Sequence, residues 1–143
     1  LEELMSRVQL ALNVTDLDAA VDFYSRLFAA EPAKRRPGYA NFAIADPPLK
    51  LVLFETSDGA AGATLNHLGV EVESTDQVTA ATRRLSDQGL ATATEDDVTC
   101  CYAVQDKVWV KDPDGAPWEV YAVKADVPAA AGPACDPEGG CCS

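Results

Sequence analysis

Residues Asn66-His67-Leu68-Gly69-Val70-Glu71-Val72 restate, 58 positions later, the pattern of the segment around Gln9. In this alignment Gln9 falls on His67, Leu10 on Leu68, Leu12 on Val70, Val14 on Val72, Asp18 on Asp76 and Leu27 on Leu85. Val8, Leu10, Leu12 and Val14 alternate with Gln9, Ala11 and Asn13, the period-two pattern of a strand with one face on a core, which puts Gln9 on the other face. Each such strand leads into a helical pattern. Thr15 or Asp16 can cap the first helix, whose apolar positions Leu17, Ala20, Val21, Tyr24, Leu27 and Phe28 are spaced by three and four. The second helix is predicted from Thr75 to Gln88, with Gly89 as its stop. Strands are predicted over Tyr39 to Ala45 and Leu49 to Glu55, joined across Asp46-Pro47-Pro48, and over Val104 to Lys111 and Trp118 to Val123, joined across the turn Asp112-Pro113-Asp114-Gly115. Lys34, Arg35 and Arg36 form a short basic run that reads as a solvated loop. Two repeats are too few for a solenoid, so the halves are expected to pair into one curved mixed sheet with helices outside, an α+β architecture.

The remaining properties bound what such a chain can do. Its 143 residues fit one globular domain, and 48% hydrophobic with 24% charged residues is the usage of a folding chain. A formal charge of −12 and a pI near 4.3 repel phosphate backbones and anionic membranes, so neither nucleic acid nor membrane is an expected partner. No apolar run reaches the roughly 20 residues of a membrane span, the opening stretch lacks the regions of a signal peptide, and a cytosolic location is expected. Met5 is the only Met, and residues 1–5 are set aside as an expected expression remnant and start. The folded part is expected over 6–124, as modules 6–57 and 65–124 joined by the Gly- and Ala-rich linker Asp58 to Thr64. Residues 125–143 form a Pro-, Ala- and Gly-rich tail. Five cysteines, Cys100, Cys101, Cys135, Cys141 and Cys142, are an odd number clustered unlike a disulfide framework, and read as free thiols.

In the last predicted strand Glu119 has the opposite phase to Trp118, and a carboxylate amid such apolar residues needs a partner. Gln9 and His67 stand at equivalent repeat positions, and the small residues Ala11 and Gly69 two positions on leave space beside them. Taken singly, a His is usually an ordinary hydrogen-bonding residue and a Gln or Glu on a strand says less. Taken together, Gln9, His67 and Glu119 offer an amide oxygen, an imidazole and a carboxylate, the composition of a metal pocket with room for water or substrate.

The paired β-α-β-β-β organisation, the opening Asn66-His67-Leu68-Gly69 and the stretch Asp112-Pro113-Asp114-Gly115-Ala116-Pro117-Trp118-Glu119-Val120-Tyr121 resemble the vicinal oxygen chelate superfamily, which includes glyoxalase I, extradiol dioxygenases and bleomycin or fosfomycin resistance proteins. The resemblance covers residues 6 to 124 and implies a fold of two such modules around a metal held by Gln9, His67 and Glu119. The chain departs from the extradiol pattern of two His and one carboxylate by having Gln9.

Cys100-Cys101 narrows the choice. Two thiolates are soft donors suited to a thiophilic centre such as trivalent arsenic, although neighbouring cysteines are also common as small buried hydrophobes. Adjacent strand residues point to opposite faces, so chelation by both requires a loop or bulge within Asp96 to Tyr102. Together with Gln9, His67, Glu119, Pro47-Pro48-Leu49-Lys50-Leu51 and a cysteine-bearing tail, Thr99-Cys100-Cys101-Tyr102 resembles the organoarsenical carbon-arsenic lyase branch of that superfamily. The resemblance implies ferrous iron as cofactor, dioxygen as co-substrate, and Cys100 and Cys101 binding a trivalent organoarsenical, methylarsenite or a reduced aromatic arsenical, with arsenite as product. Cys135, Cys141 and Cys142 either collect arsenical or are a variable tail. Two other functions remain open: a glyoxalase-like isomerase, which needs no thiol pair, and a non-catalytic drug- or arsenical-binding resistance protein. A monomer and a homodimer are both compatible with the sequence.

Overall fold

Alternating apolar and polar positions build β1 (Arg7–Val14), and Asp16 opens α1 (Leu17–Phe28) by accepting a hydrogen bond from the Ala19 amide at 3.0 Å. Three strands complete the first half: β2 (Lys34–Arg36), β3 (Tyr39–Ile44) and β4 (Leu49–Glu55). The second half runs β5 (Leu65–Val72), α2 (Thr75–Asp87), β6 (Ala93–Cys100), β7 (Ala103–Lys111) and β8 (Pro117–Asp126). A capping box between Ser74 and Gln77 starts α2, and Gly89, at φ +84°, turns the chain just beyond its end. These elements come from a computed structural model that describes residues 6–56, 65–100 and 103–126. Residues 1–5, the linker Asp58 to Thr64, Cys101, Tyr102, and the segment carrying Cys135, Cys141 and Cys142 lie outside the described residues.

All eight strands form one curled mixed sheet in the order β2-β3-β4-β1-β5-β8-β7-β6. The repeat is visible in its connectivity. Each half has its first strand parallel to its last, β1 to β4 and β5 to β8, and the halves meet antiparallel along β1 and β5. Gln9 pairs with Gly69 and Ala11 with His67 across that seam.

Strand parity separates a helix-covered face from a concave one. Leu10, Leu12, Phe42, Ile44, Leu51 and Leu53 pack under Leu17 and Val21 of α1. Burying an apolar side chain of this size fully contributes about 1.5–3 kcal/mol. Val108, Val120 and Ala122 do the same under Val78 of α2. Leu27, expected on the buried stripe of α1, is 56% exposed, because Leu17, Val21, Tyr24 and Phe28 already fill the stripe that faces the sheet.

Two strands depart from the sequence reading. Lys34-Arg35-Arg36, read as a solvated loop, is β2, paired with β3 from Lys34 opposite Asn41 to Arg36 opposite Tyr39. It is an edge strand, where charged side chains are the usual guard of the open hydrogen bonds and no apolar alternation is needed. Strand β6 is the other edge and was absent from the reading. Its ladder shifts between Glu95 and Val98, and Asp97 takes the left-handed conformation at φ +56°, so the bulge breaks the period-two pattern.

Candidate metal centre

The concave face is polar where three strands meet. Gln9 from β1, His67 from β5 and Glu119 from β8 are all buried there, with 4%, 1% and 3% of their surfaces exposed. Gln9 Nε2 lies 2.7 Å from Glu119 Oε2 and 3.2 Å from His67 Nε2, and His67 Nε2 lies 2.9 Å from Glu119 Oε2. Gly69 makes this approach possible: a Cβ there would sit 2.9 Å from Glu119 Cγ and 3.1 Å from Gln9 Nε2. Sequence reasoning treated Gly69 as space beside the site, and the structure fills that space with the two flanking ligand candidates.

The donor set fits a cation. His67 Nδ1 is 2.7 Å from Asn66 Oδ1, while Asn66 Nδ2 donates to Asn13 Oδ1 at 3.0 Å, which leaves Asn66 Oδ1 to accept the Nδ1 proton. His67 Nε2 then faces Glu119 Oε2 at 2.9 Å, a separation that a shared proton satisfies and a cation drawn in between the two would also satisfy. Gln9 brings its amide to the same point, with Nε2 toward His67 and Glu119 and Oε1 toward Tyr121. Among the described residues no three His, Cys, Asp or Glu side chains cluster around a metal position, and the third side chain at this point is the Gln9 amide.

Lys107 is the residue that sequence reasoning missed. Its side chain is fully buried, its ammonium is 2.8 Å from Glu119 Oε1, and it lies 5.5 Å and 5.9 Å from the ring centres of Trp109 and Tyr121. The contact is an ion pair with poor hydrogen-bond alignment, since both Lys107 Nζ and Glu119 Oε1 are without an aligned partner. Burial pushes the Glu119 carboxyl up, but the His67 contact and the Lys107 charge outweigh it and hold it below the usual range. Glu119 is thus an anion with one oxygen engaged and Oε2 turned to Gln9 and His67. The signal was in the strand phase: Gln105, Lys107 and Trp109 alternate with Val108, whose side chain faces the helices.

The site opens on a cavity of about 210 Å³ lined by Tyr39, Lys50, Val52, Ala103, Gln105 and Tyr121 among others. Tyr121 donates to Gln9 Oε1 at 2.6 Å, and its hydroxyl is 3.4 Å from Glu71 Oε1, which also receives Arg7 at 3.1 Å. Burial first, then the charges of Glu71 and Glu119, raise the Tyr121 pKa well above that of a free phenol, so it keeps its proton. Cys100 is the last residue of β6, its backbone paired with Ala103 of the cavity wall. Of the loop or bulge expected within Asp96 to Tyr102, β6 carries a bulge at Asp97 and continues as strand to Cys100, and Cys101 and Tyr102 fall outside the described residues.

Residues 6–120 match the family described as the Glyoxalase/Bleomycin resistance protein/Dioxygenase superfamily. A trivalent organoarsenical cleaving enzyme from Thermomonospora curvata is 66% identical over 122 residues, covering 85% of this chain and 80% of that protein. The cadmium-induced protein CadI of Mycobacterium tuberculosis is 67% identical over 122 residues, covering 85% and 79%. Among solved structures, an extradiol ring-cleaving dioxygenase from Brevibacterium fuscum has a TM-score of 0.60 at 19% identity, covering 89% of this chain and 35% of that one. The Mn(II)-bound glyoxalase from Novosphingobium aromaticivorans has a TM-score of 0.58 at 21% identity, covering 87% and 46%. At those identities the solved structures speak to the fold.

Proposed function

Because the chain belongs to the Glyoxalase/Bleomycin resistance protein/Dioxygenase superfamily, and buries an amide, an imidazole and a carboxylate at one point, we propose that it cleaves the carbon-arsenic bond of trivalent organoarsenicals in a ferrous iron- and dioxygen-dependent reaction that releases arsenite. The observation that carries this reading is the 66% identity to the Thermomonospora curvata enzyme named for that cleavage. The name of the CadI relative also concerns a thiophilic element, cadmium.

Gln9, His67 and Glu119 would hold the metal. Ferrous iron, when bound, supplies a place for dioxygen next to the organoarsenical. The rest is done by this chain's own side chains. Asn66 fixes the His67 tautomer so that Nε2 presents a lone pair. Lys107 keeps Glu119 Oε1 engaged and leaves Oε2 as the donor. Cys100 and Cys101 would replace the two exchangeable ligands on arsenic and orient the carbon substituent into the cavity, where Tyr39, Val52 and Tyr121 exclude bulk water. Modules 6–57 and 65–124 act as the working unit in this reading, and the tail 125–143 delivers substrate or is dispensable.

The test is an anaerobic mixture of protein, ferrous iron and methylarsenite, followed by oxygen, with arsenite measured as product. Arsenite should form only with all components present. His67→Ala should lose metal and activity while keeping its fold. Bound arsenical without arsenite release would assign the chain to sequestration instead.

A further inference from the structure

The Gln9 amide has one oxygen and one NH2 group, and its two ends face different company. Nε2 faces Glu119 Oε2 at 2.7 Å and His67 Nε2 at 3.2 Å, both acceptors, while Oε1 faces the Tyr121 hydroxyl at 2.6 Å. An NH2 group cannot ligate a cation. A cation among the three donors requires the amide oxygen to face inward. The amide must then turn over, and Nε2 arrives against Tyr121.

In a site where Gln9 is 4% exposed, an N–H left without an acceptor is costly, so the group it meets decides whether the turned amide is tolerated. A phenol hydroxyl can donate or accept. It can accept from Gln9 only if its own hydrogen has somewhere else to go, and Glu71 Oε1 is 3.4 Å away, an acceptor that Arg7 and Lys50 also reach, at 3.0 and 3.4 Å. We propose that Tyr121 is the positioning residue of the metal centre: its hydroxyl, which here donates to Gln9 Oε1, accepts from Gln9 Nε2 and donates to Glu71 when the amide oxygen turns to a cation. The inference rests on the metal-site reading and is independent of the arsenical chemistry.

The test uses Mn(II), a hard cation that avoids the thiols, titrated into the full chain and followed by electron paramagnetic resonance. Four proteins are compared: wild type, Tyr121→Phe, Gln9→Glu and the double variant. Tyr121→Phe should weaken Mn(II) binding about 10–100-fold, the usual effect of losing a partner behind a ligand. In the Gln9→Glu background the same change should have an effect of less than about threefold, because a carboxylate presents oxygen at both ends and brings no N–H to be received. Equal Mn(II) affinity in wild type and Tyr121→Phe overturns the proposal, and so does an equal loss in both backgrounds, which is what a merely misfolded variant would give. A wild-type protein that binds no Mn(II) removes the metal centre itself and the proposal with it. Wild-type binding with no coupling between Gln9 and Tyr121 leaves the centre standing and removes only the role of Tyr121.

Discussion

Gln9 and His67 meet side chain to side chain at 3.2 Å across the seam between β1 and β5, although 58 positions separate them. They are equivalent positions of the two halves, and the antiparallel seam brings each to the other. The third position is not equivalent. Glu119 pairs with Gly69 on β8, whereas the matching residue of the first half, paired with Ala11 on β4, is Val52. Duplication thus supplies two polar groups at the axis, and one divergent carboxylate makes them a one-sided centre with the first half contributing an apolar wall.

Gly69→Ala tests how tightly that seam is packed. The added methyl meets Glu119 Cγ and the Glu119 carbonyl oxygen, both at 2.9 Å, and the backbone oxygen cannot give way. Overpacking of this kind costs about 1–3 kcal/mol. The expected result is a lower urea midpoint together with weaker metal binding. Unchanged values of both would show that β5 and β8 can part without disturbing Gln9 and Glu119.

Lys107→Met should behave differently with and without metal. Removing one partner of a buried ion pair leaves the Glu119 charge uncompensated, at a cost of about 3–5 kcal/mol. A divalent cation on Oε2 restores part of the missing positive charge. Thermal unfolding should therefore fall markedly in the metal-free variant, and added Mn(II) should raise its Tm by more than it raises that of wild type. An equal rise in both would mean that Lys107 is not electrostatically coupled to the centre.

The core strands and the ligand candidates were legible because each rests on a one-dimensional signal. Period-two alternation placed Gln9, His67 and Glu119 on the face opposite Leu10, Leu68 and Val120, and the repeat phase linked the first two. What stayed hidden depends on long-range geometry. Lys107 reads as an ordinary strand lysine until β7 is laid beside β8 and the ammonium is found against Glu119. Strand β6 was invisible because the bulge at Asp97 shifts its phase and its residues are mostly polar. The lysine and arginines of β2 carry the pattern of a loop because an edge strand needs no apolar face.

Asp106 should make stability acid-sensitive. The Thr75 hydroxyl donates to it at 2.5 Å and holds its carboxyl below the usual range against the opposing effect of burial, helped by the Asp97 amide at 2.8 Å and by Lys124. With the folded-state pKa below the unfolded one, its contribution is complete above the ordinary carboxylate value of about 3.9 and is lost as pH falls through the lowered value. Asp106→Asn should be less stable than wild type at neutral pH, and the gap should close in strong acid. Urea midpoints measured across that range check this, and a gap independent of pH would contradict it. The variant should also loosen the Asp97 bulge that sets the pairing of Cys100 with Ala103.

The thiol pair carries the last prediction. The backbone of Cys100 ends β6 opposite Ala103, a residue of the cavity wall, and the proposed arsenical site starts from that strand end. A trivalent organoarsenical has two exchangeable ligands, and two thiolates hold it where one holds it weakly. Thiolates rather than thiols are the donors, and an ordinary Cys has a pKa near 8.5, so arsenical affinity should rise with pH through neutrality. Cys100→Ser and Cys101→Ser should each abolish both arsenical binding and arsenite release while Mn(II) binding survives, because Gln9, His67 and Glu119 do not depend on either thiol. Measuring the three quantities on the same preparations separates the roles. Loss of arsenite release with intact arsenical binding would place the cysteine in the chemistry rather than in capture, whereas wild-type turnover by either variant would remove the carbon-arsenic lyase reading and leave a metal centre whose substrate has to be sought among carbonyl and oxygen chelates.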